Sequence, residues 1–295
     1  MAVSLKFALS FEGNDADDHV LDFYDAADAL TGFQRSLALT THLVLHGEII
    51  TQAPALRGAR ILIKSPEPGS WKVITVVTLL ASGAHTLGTA PRDTVLGHLV
   101  ASTYDYIVNE TLGFHVDFDS TLGKQYDELN QRNRIAPQIT QSQVDSLMEK
   151  TESSIREMHR PIAASQTANL AKVSSIIGRN STQIATLDST TYDYVNVTKQ
   201  VEQPVQLVGR VSSYNINTFG GRIFLDTENR PIPFDLAEGS KDPHTIELIT
   251  SSLRNNARNR MGADGALNVS AFLFESSTGR LKKILITHVS VVPQT

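Results

Sequence analysis

Val205-Gln-Leu-Val-Gly-Arg-Val211 is the stretch from which the fold of this chain is deduced, because its apolar residues predict a β-strand. Arg222-Ile-Phe-Leu-Asp226 predicts a second strand, and Gly220-Gly221 before it predicts a turn. Pro231-Ile-Pro-Phe-Asp-Leu236 predicts a third, shorter strand. The three strands follow one another directly along the chain.

A helix and two further strands complete this series. Asp242-Pro243 predicts the start of a helix that runs to about Arg260, since aspartate caps a helix and proline fits its first turn. Leu267 to Phe274 and Leu281 to Val292 predict the last two strands. This order of elements resembles the OB-fold, a small five-stranded barrel. The resemblance implies binding of single-stranded nucleic acid or of another protein.

The N-terminal part of the chain predicts a two-layer α+β domain of the order ββα-ββα. Val3 to Phe11 alternates apolar and polar residues, as a half-buried strand does. Further strands are predicted over residues 20–24, 60–64 and 70–78, and helices are predicted after Asp25 and after Pro91. The chain of 295 residues is long enough for two domains of about 150 residues each.

Three segments are therefore predicted: an N-terminal α+β domain over residues 1–114, a helical and polar connecting region over 115–204, and an OB-like barrel domain over 205–295. Within the connecting region, the capping box at Thr140 predicts a helix that ends at Pro161. Asp188 to Val197 is interpreted as a strand.

The composition excludes several classes of protein. Cysteine is absent, which excludes disulfides and thiolate metal sites. Met1 to Lys6 lacks the pattern of a signal peptide, so we expect a cytoplasmic protein. Val73 to Ala90 carries no charged residue, but its Thr, Ser, His and Gly residues favour a buried strand followed by a small-residue helix. No membrane partner is expected.

The charge is unevenly distributed along the chain. The net charge is −5, which argues against coating of duplex nucleic acid by charge alone. Residues 205–295 carry ten Lys and Arg against eight Asp and Glu, so this segment is +2 and the remainder is −7. A mildly basic barrel on an acidic body fits local binding of a strand.

The ligand of such a barrel commonly crosses its second and third strands and two neighbouring loops. In the first loop Tyr214 and Phe219 are candidates for stacking on bases, with Arg210 and Arg222 at the loop's ends as candidates for phosphate contacts. Arg280 and Lys282 lie at the later loop. The structural alternative is that the aromatic residues belong to the core and that the basic residues are solvated.

Arg254 and Arg258 are a second candidate, because residues four apart share one face of a helix. A pair of guanidinium groups suits a phosphate backbone. The structural alternative is a pair of last-turn arginines that complement the helix dipole.

Arg92-Asp-Thr-Val-Leu-Gly-His98 resembles the Arg-polar-x-His motif of HEPN ribonucleases, a family of all-helical enzymes. The resemblance implies metal-independent cleavage of RNA by Arg92 and His98, although the surrounding sequence predicts a mixed α+β region.

Metal and cofactor motifs give no further support for an enzyme. His42 and His46 are spaced as two zinc ligands on one helix but lack a good third ligand. Asp15 to Asp18 lacks the Gly and Glu of a calcium loop. Walker A, GxGxxG and GxSxG motifs are absent, so no cofactor and no metal are expected.

The sequence thus favours a non-enzymatic cytoplasmic subunit whose barrel contacts single-stranded nucleic acid or a partner protein. The competing interpretation is a scaffold that oligomerises through the helices at 93–112 and 140–158, and a HEPN-like ribonuclease is the third. The chain as a whole resembles uncharacterised bacterial proteins encoded beside mobile or antiviral defence genes.

Overall fold

The computed structural model describes residues 4–64, 71–79, 91–116, 118, 122–125, 137, 139–177, 180–259, 262–276 and 279–292. The chain forms two compact units, Met1–Val195 and Asn196–Thr295. Both combine helices and strands, so the predicted α+β class is confirmed. Residues 80–90, in which the small-residue helix is expected, and most of residues 117–136 of the expected connecting region lie outside the described residues.

The first unit is built on a five-stranded antiparallel sheet in the order β2-β3-β1-β4-β5. Its strands are β1 Ser4–Glu12, β2 Ala59–Ile63, β3 Trp71–Leu79, β4 Leu170–Ile177 and β5 Asn180–Leu187. Its helices are α1 Phe23–His46, α2 Pro91–Thr111, α3 Gln141–Glu157, α4 Arg160–Ala163 and α5 Ser189–Asn196.

The core of the first unit lies between the sheet and α1, α2 and α3. Leu5, Phe7, Leu9 and Phe11 of β1 are at most 2% exposed, because the period-two alternation directs all four toward the helices. The ring of Phe7 meets that of Tyr104 on α2 edge to face at 5.1 Å. Thr140 and Gln143 form the predicted capping box at the start of α3.

The predicted strand over residues 20–24 is wrong. Asp22, not Asp25, caps α1, and its carboxylate accepts a hydrogen bond from the backbone N–H of Asp25. The Asp25 carboxylate is instead buried in an ion pair with Arg160, at 2.8 Å. Val20 and Phe23 are 56% and 88% exposed, so these two residues are not buried as residues of a half-buried strand would be.

The strand predicted over residues 188–197 is also wrong, because α5 occupies most of this segment. The Asp188 carboxylate accepts a hydrogen bond from the backbone N–H of Thr191, and the Thr191 hydroxyl accepts one from the N–H of Asp188. This reciprocal pair satisfies N–H groups at the start of the helix.

Much of the segment predicted to connect two domains lies inside the first unit. β4 pairs with β1 and β5 pairs with β4, so residues 170–187 complete the sheet. α3 packs on α1, and the division between the units falls after Val195, a few residues before the expected start of the barrel domain at residue 205. Local sequence patterns do not record such long-range pairing.

The second unit contains a closed five-stranded barrel. β7 Val205–Asn215, β8 Gly220–Leu225, β9 Arg230–Leu236, β10 Ala266–Glu275 and β11 Leu281–Val291 are its strands, and α6 Pro243–Arg258 is its helix. The order is β7-β8-β9-β11-β10, and β10 pairs with β7 to close the barrel. β9 and β11 are parallel, and the other pairs are antiparallel.

The predicted barrel is therefore confirmed as a closed, mixed five-stranded barrel with one helix, consistent with an OB-like barrel. A short strand, β6 Lys199–Gln200, adds to β10 from outside. Asp242 caps α6 by accepting hydrogen bonds from the N–H groups of His244 and Thr245, as the sequence indicates. None of the helices in the described part of the chain is long and apolar enough to cross a membrane.

At Gly32 the backbones of α1 and α3 approach each other closely. A Cβ added there would overlap the carbonyl oxygen of Ser154. Because that oxygen belongs to a helix backbone and cannot rotate away, overpacking of about 1–3 kcal/mol exceeds the gain in helix propensity. We expect Gly32→Ala to lower the free energy of unfolding by about 1–2 kcal/mol in urea titrations. The exposed neighbour Thr31→Ala is the control, and an equal effect of both substitutions would contradict this packing.

His159 is fully buried between α3 and α5. Its Nδ1 and Nε2 contact the Ile155 carbonyl and the Thr191 hydroxyl at 2.9 and 3.0 Å. Burial is the main cause that lowers the pKa of this imidazole, to about 4. The neutral ring therefore stabilises the fold above the unfolded pKa of about 6.5, and this contribution is lost as the pH falls toward 4.

We expect wild type to lose up to about 3 kcal/mol more stability than His159→Gln between pH 6.5 and 4. Urea titrations across this range measure the difference. The exposed His98→Gln serves as control and should follow the wild-type pH profile. Parallel profiles for His159→Gln and wild type would show that the ring does not resist protonation.

Candidate nucleic-acid interface

Arg210 lies on β7 and is held by the barrel itself. Its guanidinium Nη1 is 2.6 Å from the Asp226 carboxylate, and its Nε donates to the Gly262 carbonyl at 3.1 Å. The side chain is 12% exposed. These contacts compensate its charge and tie β7 to the loop that follows α6.

Tyr214 lies on β7 and not in the first loop, because β7 continues to Asn215, and its partly buried side chain packs against the barrel core. Its ring stacks on that of Phe234, with centroids 6.4 Å apart and planes 6° from parallel. Its hydroxyl is buried without a hydrogen-bond partner among the described residues, and burial raises its pKa. The face of the ring that meets Phe234 is used within the unit.

Phe219 closes the loop between β7 and β8 in a left-handed conformation, with φ of 55°. Its N–H donates to the Asn215 carbonyl at 2.9 Å, and its carbonyl accepts from the N–H of Leu236 at 3.1 Å. The ring is half-buried on the barrel core, and the Lys241 ammonium lies 5.4 Å from its centroid. Ile216, at the loop tip, is 69% exposed. Lys241 and Ile216 were missed because neither belongs to a recognisable motif.

Arg222 is 1% exposed and is one of the largest fully buried side chains of the described chain. It lies on β8, where its carbonyl accepts a hydrogen bond from the Ser212 hydroxyl at 3.3 Å. A side chain at this depth does not reach a ligand from solvent in this conformation.

Arg254 and Arg258 are both exposed on the last turns of α6. Neither forms an ion pair with another residue that the structure describes. The neighbouring Asn255 amide donates to the Asp264 carbonyl at 3.0 Å, so it is used inside the unit. The two guanidinium groups, four residues apart, are presented on one face of the helix.

Arg280 is the last residue of the loop between β10 and β11, Lys282 lies at the start of β11, and both are half-buried. The backbone N–H of Arg280 donates to the Ser276 hydroxyl at 3.1 Å. The Lys282 ammonium donates to the Thr198 hydroxyl at 2.8 Å.

The eight candidate residues do not form one continuous surface. Phe219 lies beside Lys241, at the start of α6, whereas Arg254 and Arg258 lie at its end. Sixteen helical residues separate the two ends by about 24 Å. Of the eight candidate residues, Arg254 and Arg258 at the end of α6 are the two with exposed side chains.

The histidine pair on α1 has a structural role. His42 is buried, its Nδ1 accepts from the N–H of Arg57 at 3.3 Å, and His46 Nε2 lies 3.1 Å from the Arg57 carbonyl. Burial, followed by the neighbouring His46, lowers the pKa of His42. The two rings anchor the loop before β2, and the described residues contain no group of three side chains able to hold a metal.

Arg92 and His98 both lie on α2, and His98 is exposed. Six helical positions separate their Cα atoms by about 120° around the axis. The surrounding unit is a sheet with helices, unlike the all-helical HEPN family. Ribonuclease activity remains a prediction, which replacement of His98 by Ala would test.

The fold thus defines a two-unit α+β protein with a closed barrel in its second unit. Residues 7–196 match the model of a domain of unknown function, DUF7946, and residues 203–290 match that of a family of unknown function, DUF7947. Since the first match spans more than half of the chain, the chain belongs to the DUF7946 family. No curated protein and no solved structure shows significant similarity to it.

Tyr214→Phe tests whether the ring serves the core or a ligand. Removing a buried hydroxyl without a partner relieves a desolvation cost of about 1–3 kcal/mol, so we expect equal or higher stability. Thermal unfolding measures this, with Tyr24→Phe on an exposed ring as control. A clear loss of stability would show that the hydroxyl has a partner.

Proposed function

We propose that this chain is a non-enzymatic binding protein whose barrel unit contacts single-stranded nucleic acid through Arg254 and Arg258. The observation that carries the proposal is the exposure of both guanidinium groups, one helical turn apart and without an ion pair among the described residues. Closed barrels of this kind commonly bind single strands. Guanidinium groups bind phosphate oxygens in a bidentate manner.

The candidate surface differs from the one expected from the sequence. Arg222 is buried and Arg210 is paired with Asp226, so both are left out of the proposed contact. Phe219 and Lys241 lie far from the arginine pair along α6 and do not contact the same short segment of strand. The interaction is therefore mainly with the phosphate backbone, which carries little sequence specificity.

Fluorescence polarisation of labelled single-stranded DNA and RNA, at low and high salt, tests the proposal with the full chain. We expect Arg254→Gln/Arg258→Gln to weaken binding and to reduce the slope of log affinity against log salt by about 0.7 for each lost phosphate contact. The matched control is Arg57→Gln/Lys199→Gln, which removes two exposed cations elsewhere.

Unchanged binding by Arg254→Gln/Arg258→Gln would overturn the proposed barrel contact. Absence of binding by wild type would instead favour the alternative, a partner protein. The scaffold interpretation relied on the helices at 93–112 and 140–158, whose apolar residues, including Tyr104, Ile107 and Leu147, are buried within the first unit. Oligomerisation through other surfaces stays a prediction, which the molar mass of the full chain in solution would test. A role in bacterial antiviral defence remains a prediction, which phage challenge of cells with and without the protein would test.

A further inference from the structure

The five-stranded sheet of the first unit has one side that α1, α2 and α3 do not cover. Alternation along β1 directs Leu5, Phe7, Leu9 and Phe11 to the helices and Lys6 to the opposite side. Lys6 lies across from Val76 on β3 and from Ile176 on β4. Because opposite residues share a side, this register defines which residues belong to the uncovered side, here called the open sheet face.

Cations are concentrated on the open sheet face. They are Lys6 on β1, Arg60 on β2, Lys64 directly after β2, Lys72 on β3 and Lys172 on β4. Lys64 continues the ladder, since its backbone N–H donates to the Ile74 carbonyl at 2.8 Å. Among the described strand residues on this face, Glu12 is the one that carries a carboxylate.

Four of these cations are not compensated within the described chain. The Lys172 ammonium is 2.7 Å from the Glu12 carboxylate, so the charges of these two groups compensate each other. No ion pair or hydrogen bond to another described residue holds the side chains of the other four. Arg60, Lys64 and Lys72 are exposed, and Lys6 is half-buried between its neighbours. An acidic chain thus presents a local surface of charge about +4.

The four cations lie one in each of four successive rows across the sheet, on or beside β3, β2, β1 and β2 in turn. Lys72 shares a row with Ser10, Lys64 with Ile74, Lys6 with Val76, and Arg60 with Thr78. Successive rows are two residues apart along each strand, or about 6.7 Å. The cations therefore follow the strand direction over about 20 Å.

The open sheet face also exposes apolar groups between these cations. Leu62, on β2, is 52% exposed, and Ile74 and Val76 on β3 are half-buried. Phosphates gain nothing from such groups, whereas the apolar face of an unpaired base buries hydrophobic area against them. Bases stacked inside a duplex cannot reach them. An anionic membrane is less suited, since Leu62 is the one large apolar side chain on the described part of this face that is more than a third exposed.

We propose that the open sheet face binds single-stranded nucleic acid, with Lys6, Arg60, Lys64 and Lys72 contacting its phosphates. This site lies in the first unit and does not depend on the arginine pair of the barrel. Its contacts are with the backbone and with base faces, so it binds many sequences and is sensitive to salt. The two sites together would give the chain two separate contacts for a strand.

The test uses the full chain and labelled single-stranded RNA and DNA in polarisation titrations at several salt concentrations. The open-face variant is Arg60→Gln/Lys64→Gln/Lys72→Gln. We expect it to lose about tenfold or more in affinity at low salt and to reduce the salt slope by about 2, from three lost phosphate contacts. The matched control, Arg57→Gln/Lys150→Gln/Lys199→Gln, removes the same charge elsewhere and should bind like wild type.

Two further variants separate this proposal from the barrel proposal. Lys64→Arg/Lys72→Arg keeps the charge and should keep the affinity, with circular dichroism confirming the fold of every variant. Wild-type affinity of the open-face variant, with loss in Arg254→Gln/Arg258→Gln, would overturn the open-face site and leave the barrel proposal intact. The reverse pattern would overturn the barrel contact and support the open-face site.

The choice of ligand is tested in the same titrations. Equal or tighter binding of a duplex of matched length would contradict a single-strand site. Vesicles of phosphatidylserine are the second comparison. The proposal would be overturned if wild type bound these vesicles but not nucleic acid, and if the open-face variant lost the binding to vesicles. This result would show that the face binds a lipid surface.

Discussion

The pairing of β1 with β3 on one side and with β4 on the other is the constraint on which the first unit depends. Leu5, Phe7, Leu9 and Phe11 are buried only in this register, and a slip of one residue would turn all four toward solvent. The same slip would place Lys6 in the core, where an uncompensated charge is costly. The geometry that forms the core therefore also places the cations on the open sheet face.

Local patterns in the sequence predicted the elements whose cause is local. The capping box at Thr140 and the Asp242 cap of α6 are short-range hydrogen bonds, and both are found where the sequence indicates them. The pairing of β4 with β1 joins residues about 160 positions apart, and no local period encodes it. The start of α1 was misplaced for a related reason, since Asp25 is held by the distant Arg160.

The candidate site on the barrel shows how small errors in strand length change a functional interpretation. The sequence predicts that β7 ends at Val211, but the strand continues to Asn215 with a bulge between Val211 and Ser213. The extension makes Tyr214 a strand residue that stacks on Phe234 in the core. Arg254 and Arg258, by contrast, were correctly placed on a helix surface, because exposure on a helix follows from its own period.

Net charge is a poor guide to the partners of this chain. The sum of −5 argues against a polyanion only if the charges are evenly spread. Successive cations lie about 8–12 Å apart once the spacing of about 4.8 Å between neighbouring strands is included, which is comparable to the Debye length of about 8 Å at physiological salt, so their fields on a ligand overlap. The Glu12 carboxylate on the same face is paired with Lys172 and leaves the other four cations without a partner among the described residues. The register of the sheet, which gathers Lys6, Arg60, Lys64 and Lys72 on one face, therefore decides the local field more than the composition does.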